Sequence, residues 1–325
     1  MRVHRLGAAY DTFGQFPERG GAPSGIALSR DERTAYVYCR TTFDVLRIEL
    51  DTGEKQYLHL AEDGLPADAA YGRRLFSSAS SPSLSGGLAC GACHPEGRDD
   101  GYVWREGKIG VDEATPRFVA LRSNLKQADE AASEPPALYA RQTPMLAGRM
   151  QTNGPFGWHG EQEGIAARLF AGFQLHRAGW DVGSGTPDTG QDLAKADYLA
   201  DFLRSGLLPP PTVMRAPSAL EEQGKRLFES SQTGCVSCHV PSTQFTDRGL
   251  AKLRGLPAGA DFNHEPDVSF KTPSLWFVGG TPPYLHDGSA ANLEDLLLTN
   301  DDRMGHTKQL KQDERNALAA YLRVL

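Results

Sequence analysis

Cysteine is scarce in this chain, five residues in 325, too few for a fold stapled by disulfides. Basic charge is also short: 34 Lys and Arg stand against 41 Asp and Glu, a net charge of −7. That balance argues against nucleic acid or an anionic membrane surface as the main partner. No apolar run comes near the roughly 20 residues that cross a bilayer, and a mean hydropathy of −0.44 describes a soluble protein without a membrane span. The opening stretch, Met1 to Tyr10, lacks the apolar core and small-residue cleavage site of a secretion signal. What is left is an acidic chain whose length suits two domains better than one.

Four of the five cysteines fall in two units of one pattern, Cys90-Gly91-Ala92-Cys93-His94 and Cys235-Val236-Ser237-Cys238-His239. Two intervening residues set the reach with which paired thiols add across the vinyl groups of a porphyrin, and the His that follows presents an imidazole to the iron. Zinc sites and thioredoxin-like dithiols also use Cys-x-x-Cys, but neither gives a reason for a His directly after each pair. The pattern therefore predicts two covalent hemes c, with Cys90, Cys93, Cys235 and Cys238 as anchors and His94 and His239 as proximal iron ligands. Such attachment takes place outside the cytoplasm in bacteria, so a periplasmic or otherwise extracytoplasmic location is expected, with the missing signal placed upstream of this start. Cys39 stands apart and reads as a small buried apolar residue.

An internal repeat organises the chain after Asp63. Gly72-Arg73-Arg74-Leu75-Phe76 precedes the first motif as Gly224-Lys225-Arg226-Leu227-Phe228 precedes the second. Thr143-Pro144-Met145-Leu146 matches Thr272-Pro273-Ser274-Leu275, and Pro155-Phe156-Gly157-Trp158-His159-Gly160 matches Pro283-Tyr284-Leu285-His286-Asp287-Gly288. Amphipathic helices over Leu193 to Leu207 and Asp313 to Leu325 close the halves, and the Pro-rich run 208–212 reads as a linker. The expected fold is mainly α: two duplicated cytochrome c-like heme domains, 63–207 and 208–325, preceded by a small antiparallel β segment, 1–62.

In that segment four short branched-rich runs, Ser24 to Ser29, Thr34 to Cys39, Asp44 to Leu50 and Glu54 to Leu60, predict one β-sheet. The stretch Pro23 to Ser29 with Thr34 to Tyr38 resembles a blade of the YVTN-type β-propellers. One blade without a second copy leaves two readings: a small β cap on the cytochrome, or the remnant of a propeller domain upstream.

The sixth position of each iron decides function. Met304 lies sixteen residues beyond Gly288, after a helix expected over Asn292 to Thr299, and reads as a thioether ligand. The same count from Gly160 reaches His176. His176, His159 and an open or water-bound position are the three readings for the first iron. His/Met ligation raises a heme's potential relative to the others, so the second heme would pass electrons and the first would react.

From Tyr71 to Leu325 the chain resembles the bacterial diheme cytochrome c peroxidase and MauG family, most closely over Lys271 to Leu275 and Pro283 to Ser289. The resemblance implies an electron relay at Trp158, a propionate or structural contact at His286, and calcium between the domains, with ligands left unassigned. It also implies a small redox protein as donor, which the acidic charge suggests is basic, and hydrogen peroxide or a related oxidant as substrate. The family's distal Gln falls at Arg168 and its later Glu has no match, while Glu161 and Glu163 are nearby carboxylates. Glu161 and Arg168 are thus the candidates for moving protons. The alternative is a pure electron-transfer cytochrome with both irons six-coordinate.

Overall fold

A computed structural model of the chain describes residues 3, 4, 6–10, 16–79, 89–106, 110, 111, 118, 119, 139–177, 189–210, 214–252, 269–300 and 302–325. Its strands are β1 (Ala8–Tyr10), β2 (Pro17–Arg19), β3 (Pro23–Leu28), β4 (Thr34–Cys39), β5 (Asp44–Glu49), β6 (Lys55–His59), β7 (Val103–Glu106), β8 (Gly110–Val111), β9 (Phe118–Val119), β10 (Tyr139–Gln142), β11 (Leu250–Lys252) and β12 (Ser269–Lys271). Its helices are α1 (Ala67–Ser77), α2 (Cys90–Cys93), α3 (Ile165–Arg177), α4 (Thr189–Ser205), α5 (Ala219–Glu229), α6 (Leu293–Thr299) and α7 (Gln312–Leu322). Two compact units result: Met1–Ala92 with Trp180–Gly206, and Cys93–Gly179 with Leu207–Leu325.

In the first unit β3, β4, β5 and β6 form one antiparallel sheet in chain order, the four strands expected from the branched-rich runs. Alternation fixes the register: Ala35, Val37 and Cys39 point inward from β4 and meet Ile48, Leu46 and Asp44 of β5, while Tyr36 and Tyr38 face out. Cys39 is fully buried and burial pushes its thiol up to about 11, as suits an inert core residue. Elsewhere in this unit α1 and α4 cross at Gly72, where a Cβ would stand 1.9 Å from the Tyr198 carbonyl oxygen. Only glycine allows that approach. Phe76 and Phe202 pack beside the crossing at 5.4 Å.

The second unit repeats the device. Helices α5 and α7 cross at Gly224, whose Cβ would lie 1.9 Å from the Ala317 carbonyl oxygen, with Phe228 against Tyr321 at 5.5 Å. Gly72 and Gly224 are the equivalent positions of the sequence repeat. Two strand pairs, β7 with β10 and β11 with β12, follow the motifs. They are too short to show a period, so sequence pattern missed them, and the fold is mixed helix and strand rather than mainly α.

Within this unit the repeated segments are laced together reciprocally. The Gln142 N–H donates to the His286 carbonyl at 2.8 Å, and the Lys271 N–H donates to the Trp158 carbonyl at 2.8 Å. Gln142 is the repeat partner of Lys271, and Trp158 of His286. The loops themselves match: Phe156 bridges Gln162 as Tyr284 bridges Ala290, and Gly160 and Gly288 both hold positive φ, 64° and 67°. The duplication is therefore a local pseudo-two-fold arrangement.

Helix α5 begins with a capping box in which Ser218 and Glu221 satisfy each other's backbone N–H groups, and Arg215 forks onto the Glu221 carboxylate. These bonds, the Arg215 pair first, hold the Glu221 carboxyl down to about 2 from an ordinary 4.5. A lowered folded-state pKa stabilises above the ordinary value and loses that contribution as pH falls through the window from 4.5 to about 2. The unfolding midpoint of the native chain is expected to fall more steeply across this window than that of Glu221→Gln, which a pH series of thermal melts checks. Gly224→Ala is expected to cost about 1–3 kcal/mol by overpacking. Gly172→Ala on α3, where the added methyl meets nothing within 4 Å, should be neutral or stabilising by up to about 1 kcal/mol; urea titrations of the two variants decide.

Candidate functional site

The second motif turns sharply because Gly234 takes a left-handed φ of 67° and starts the 3-10 turn Cys235–Ser237. The His239 N–H then bonds the Cys235 carbonyl at 2.9 Å, so thiols and imidazole are presented from one short turn. The Nδ1–H of His239 donates to the Phe245 carbonyl at 3.0 Å. A carbonyl can only accept, so the tautomer is fixed and Nε2 is left bare, the arrangement a metal-ligating imidazole needs. Burial holds this imidazole below its usual pKa.

A brace of side chains supports that loop. Thr246 Oγ1 donates to the Thr272 carbonyl at 2.6 Å, Ser274 Oγ to the Gln244 carbonyl at 2.7 Å, and the Thr272 N–H to the Gly249 carbonyl at 2.9 Å. The repeated Thr-Pro segment thus backs the proximal loop. In the first motif, α2 carries Cys90 and Cys93, and Gly97, with φ 77°, brings its carbonyl to the Leu146 and Ala147 N–H groups, both at 2.8 Å. The segment after Thr143-Pro144 thus also backs its motif, through backbone bonds to Gly97 rather than through side chains.

Met304 sits on a loop pinned to the second motif. The buried Asn300 side chain accepts from the Met304 N–H at 2.9 Å and donates to the Met304 and Gly305 carbonyls and to Thr307 Oγ1. The His306 N–H donates to the Thr233 carbonyl at 2.7 Å, and a Cβ on Gly305 would stand 3.5 Å from Cys235 Sγ. The residue next to Met304 therefore abuts an anchoring thiol. His176 lies on α3, but its side chain is outside the described residues.

Trp158 and His286, the repeat partners, face each other edge-on with ring centroids 6.4 Å apart. His286 is buried and stacks on Phe270 at 4.0 Å, which continues to His159 at 4.7 Å. The Nδ1–H of His159 donates to the Ser269 carbonyl at 3.0 Å and Arg141 Nη2 donates to its Nε2 at 3.2 Å. So held, His159 has no free nitrogen to offer an iron. Glu161 lies against Gly157, and its buried Oε2 has no hydrogen-bond partner among the described residues. Arg168 lies on α3, its N–H bonded to the Gly164 carbonyl at 3.0 Å.

These features fit a heme. All four motif cysteines are free of disulfides. Among the described residues no three His, Cys, Asp or Glu side chains converge on one point as a zinc ion requires. Buried polar atoms without partners, Arg149 Nη2 and Gln244 Oε1, remain for a polar group to meet. Sequence reasoning missed Asn300 and Arg149, since neither belongs to a motif and their roles come from what they are buried against.

Comparison with known proteins agrees. Cytochrome c551 peroxidase of Nitrosomonas europaea is 33% identical over 32% of this chain and 34% of its own length. MauG of Methylorubrum extorquens is 36% identical over 25% of each. Over these stretches the chain is similar to the cytochrome c peroxidase and MauG proteins. Hydrazine synthase subunit gamma of Kuenenia stuttgartiensis is a further relative, 27% identical over 32% of this chain and 40% of that subunit. The chain thus spans two fifths or less of the curated relatives it matches. Among solved structures, a MauG-like protein associated with microbial copper homeostasis superposes with a TM-score of 0.51 at 19% identity, covering 82% of this chain and 95% of that one. Hydrazine synthase of Kuenenia stuttgartiensis gives 0.50 at 20% identity over 82% and 89%. No family model matches the chain. The diheme peroxidase and MauG relatives make c-type heme and oxidoreductase chemistry the shared theme, and no helix among the described residues is long and apolar enough to cross a membrane.

Asn300→Ala removes the hub of the Met304 loop and strands buried backbone groups, so a loss of about 1–3 kcal/mol is expected, measured by urea unfolding of the holoprotein.

Proposed function

We propose that this chain is a diheme protein of the cytochrome c peroxidase and MauG type, an extracytoplasmic c-type cytochrome that takes electrons at its second heme and reduces peroxide, or a related oxidant, at its first. The observation that carries the reading is the doubled Cys-x-x-Cys-His motif, each copy hydrogen-bonded to the segment that begins with its repeated Thr-Pro pair. The heme domains are read as 63–207 and 208–325, and the sheet of β3 to β6, by its strand order, as one propeller blade in 1–62.

Cys90 with Cys93 and Cys235 with Cys238 hold the porphyrins, and His94 and His239 hold the irons. When bound, each heme supplies a one-electron centre whose potential follows its axial ligands. Met304 is the sixth ligand of the second heme, supported by the Asn300 loop that puts Gly305 against Cys235. His176 is the candidate for the first. Trp158, edge-on to His286, offers an aromatic path through the middle of the repeat, and His286 packs that path in place. Glu161, with a buried and unsatisfied carboxylate oxygen, is the group best suited to accept a proton from peroxide, and Arg168 is a cation on the helix that follows. The donor is a small redox protein, and the calcium implied by the family remains part of the proposal.

A second reading, an electron-transfer cytochrome with two six-coordinate hemes, is favoured by one departure: Arg168 stands where the family's peroxidases carry Gln. Holoprotein matured outside the cytoplasm should carry two hemes per chain by pyridine hemochrome assay. A high-spin ferric component that peroxide abolishes supports the peroxidase, whereas two low-spin hemes unmoved by peroxide leave only electron transfer. Met304→Ala should lower the potential of the second heme in a redox titration; an unchanged titration rules Met304 out as its ligand.

A further inference from the structure

The loop that carries Met304 is held at two points. Asn300 takes both backbone groups of Met304: its Oδ1 accepts from the N–H at 2.9 Å and its Nδ2 donates to the carbonyl at 3.1 Å. The second point is Thr233, which stands just ahead of Gly234 and the anchoring Cys235. Its carbonyl accepts from the His306 N–H at 2.7 Å, and a Cβ built on Gly305 would lie 2.6 Å from the same oxygen. No side chain fits there, and a φ of 69° at Gly305 asks for glycine independently.

Thr233 is itself immobilised. It is fully buried, and its hydroxyl donates to the Leu227 carbonyl and, at 3.1 Å, to the Ser230 carbonyl at the end of α5. On the loop side, Gln309 Nε2 donates to the Gln232 carbonyl at 3.3 Å and to the His306 carbonyl at 2.8 Å. Asp302 Oδ1 accepts from the N–H groups of Thr307 and Lys308 at 2.9 and 3.2 Å. The turn that presents the Cys235 thiol and the loop that presents the Met304 thioether are therefore one hydrogen-bonded body.

The first repeat does without these pins. Counted from Gly160 as from Gly288, Asn300 corresponds to Gly172 and Gly305 to Arg177. Both of those positions lie inside α3, which runs for 13 residues where α6 stops after 7. A methyl group at Gly172 would meet nothing within 4 Å, so no side chain reaches out from that place. The matching loops at Gly160 and Gly288 form with or without the pins, which points to a local purpose for them in the second repeat. A thioether on a side chain with three rotatable bonds is an adaptable group, and holding its backbone in advance removes much of the entropy lost on ligation.

We propose that Thr233, with Gly305 seated against its carbonyl, is a positioning residue that sets Met304 as the sixth ligand of the second heme by latching the methionine loop to the cysteine turn. The inference rests on the reading of Met304 as that ligand, and the two can fail separately. Holoprotein carrying Thr233→Val, Thr233→Ser, Gly305→Ala or Met304→Ala is first assayed for two hemes per chain. Thr233→Val and Gly305→Ala should each weaken the long-wavelength charge-transfer band of a methionine-ligated ferric heme. Both should lower the midpoint potential of that heme in the direction of Met304→Ala, since losing the thioether removes what raises it. Thr233→Ser, which keeps the hydroxyl, should restore band and potential. Combining Gly305→Ala with Met304→Ala should shift the potential no further than Met304→Ala alone, because both act through one ligand. If Gly305→Ala does not accumulate, the Val and Ser variants of Thr233 carry the measurement. Variants that lose stability while band and potential stay native overturn the positioning role and leave Met304 as the ligand. A Met304→Ala protein with native band and potential overturns the ligand reading, and the latch falls with it.

Discussion

Two backbone hydrogen bonds, from Gln142 to His286 and from Lys271 to Trp158, tie each repeat's strand to the other repeat's loop, and the arrangement of the second unit follows from them. Each donor ends a strand whose next residues, Thr143-Pro144 or Thr272-Pro273, back a proximal loop. Each acceptor belongs to the loop that carries one ring of the Trp158 and His286 pair. A backbone bond tolerates little displacement before it is lost, so the proximal braces and the central rings are held at one relative position. The reciprocal design also explains why Gly160 and Gly288 hold matching left-handed turns: each lets its loop approach a strand of the other repeat, β11 for Gly160 and β7 for Gly288.

Around this lacing the site separates into a rigid side and an adaptable side. His239 is fixed in ring orientation and tautomer by one carbonyl, and burial lowers its pKa. Met304 depends instead on a loop whose backbone is gathered by the single amide of Asn300. An amide can donate and accept at once, which is why one side chain suffices to hold four backbone or hydroxyl groups. The proposed proximal ligand is thus set by local turn geometry, and the proposed distal one by a polar network that a substitution can loosen.

The charged groups near the rings follow a different logic. Glu161 and Arg149 each bury one polar atom, Oε2 and Nη2, that has no hydrogen-bond partner among the described residues. In a core built only for stability such groups are replaced by apolar ones or matched.

The heme motifs, their order and the repeat were legible in the chain because covalent attachment and iron ligation depend on residues one to four positions apart. Spacing alone determines such geometry. The four strands of the β segment were legible for the same reason: period-two alternation over β4 and β5 is a local record of which face is buried. Gly72 and Gly224 stood out as repeat positions, but that they are the points of helix crossing required the partner carbonyls of Tyr198 and Ala317, more than 90 positions away in each case. Only tertiary structure could decide that His159 is consumed by Arg141 and Ser269, that Asn300 gathers the Met304 loop, and that Arg149 Nη2 is buried without a partner among the described residues. Burial and pairing are properties of neighbours brought together by folding, and no local pattern in a sequence encodes them.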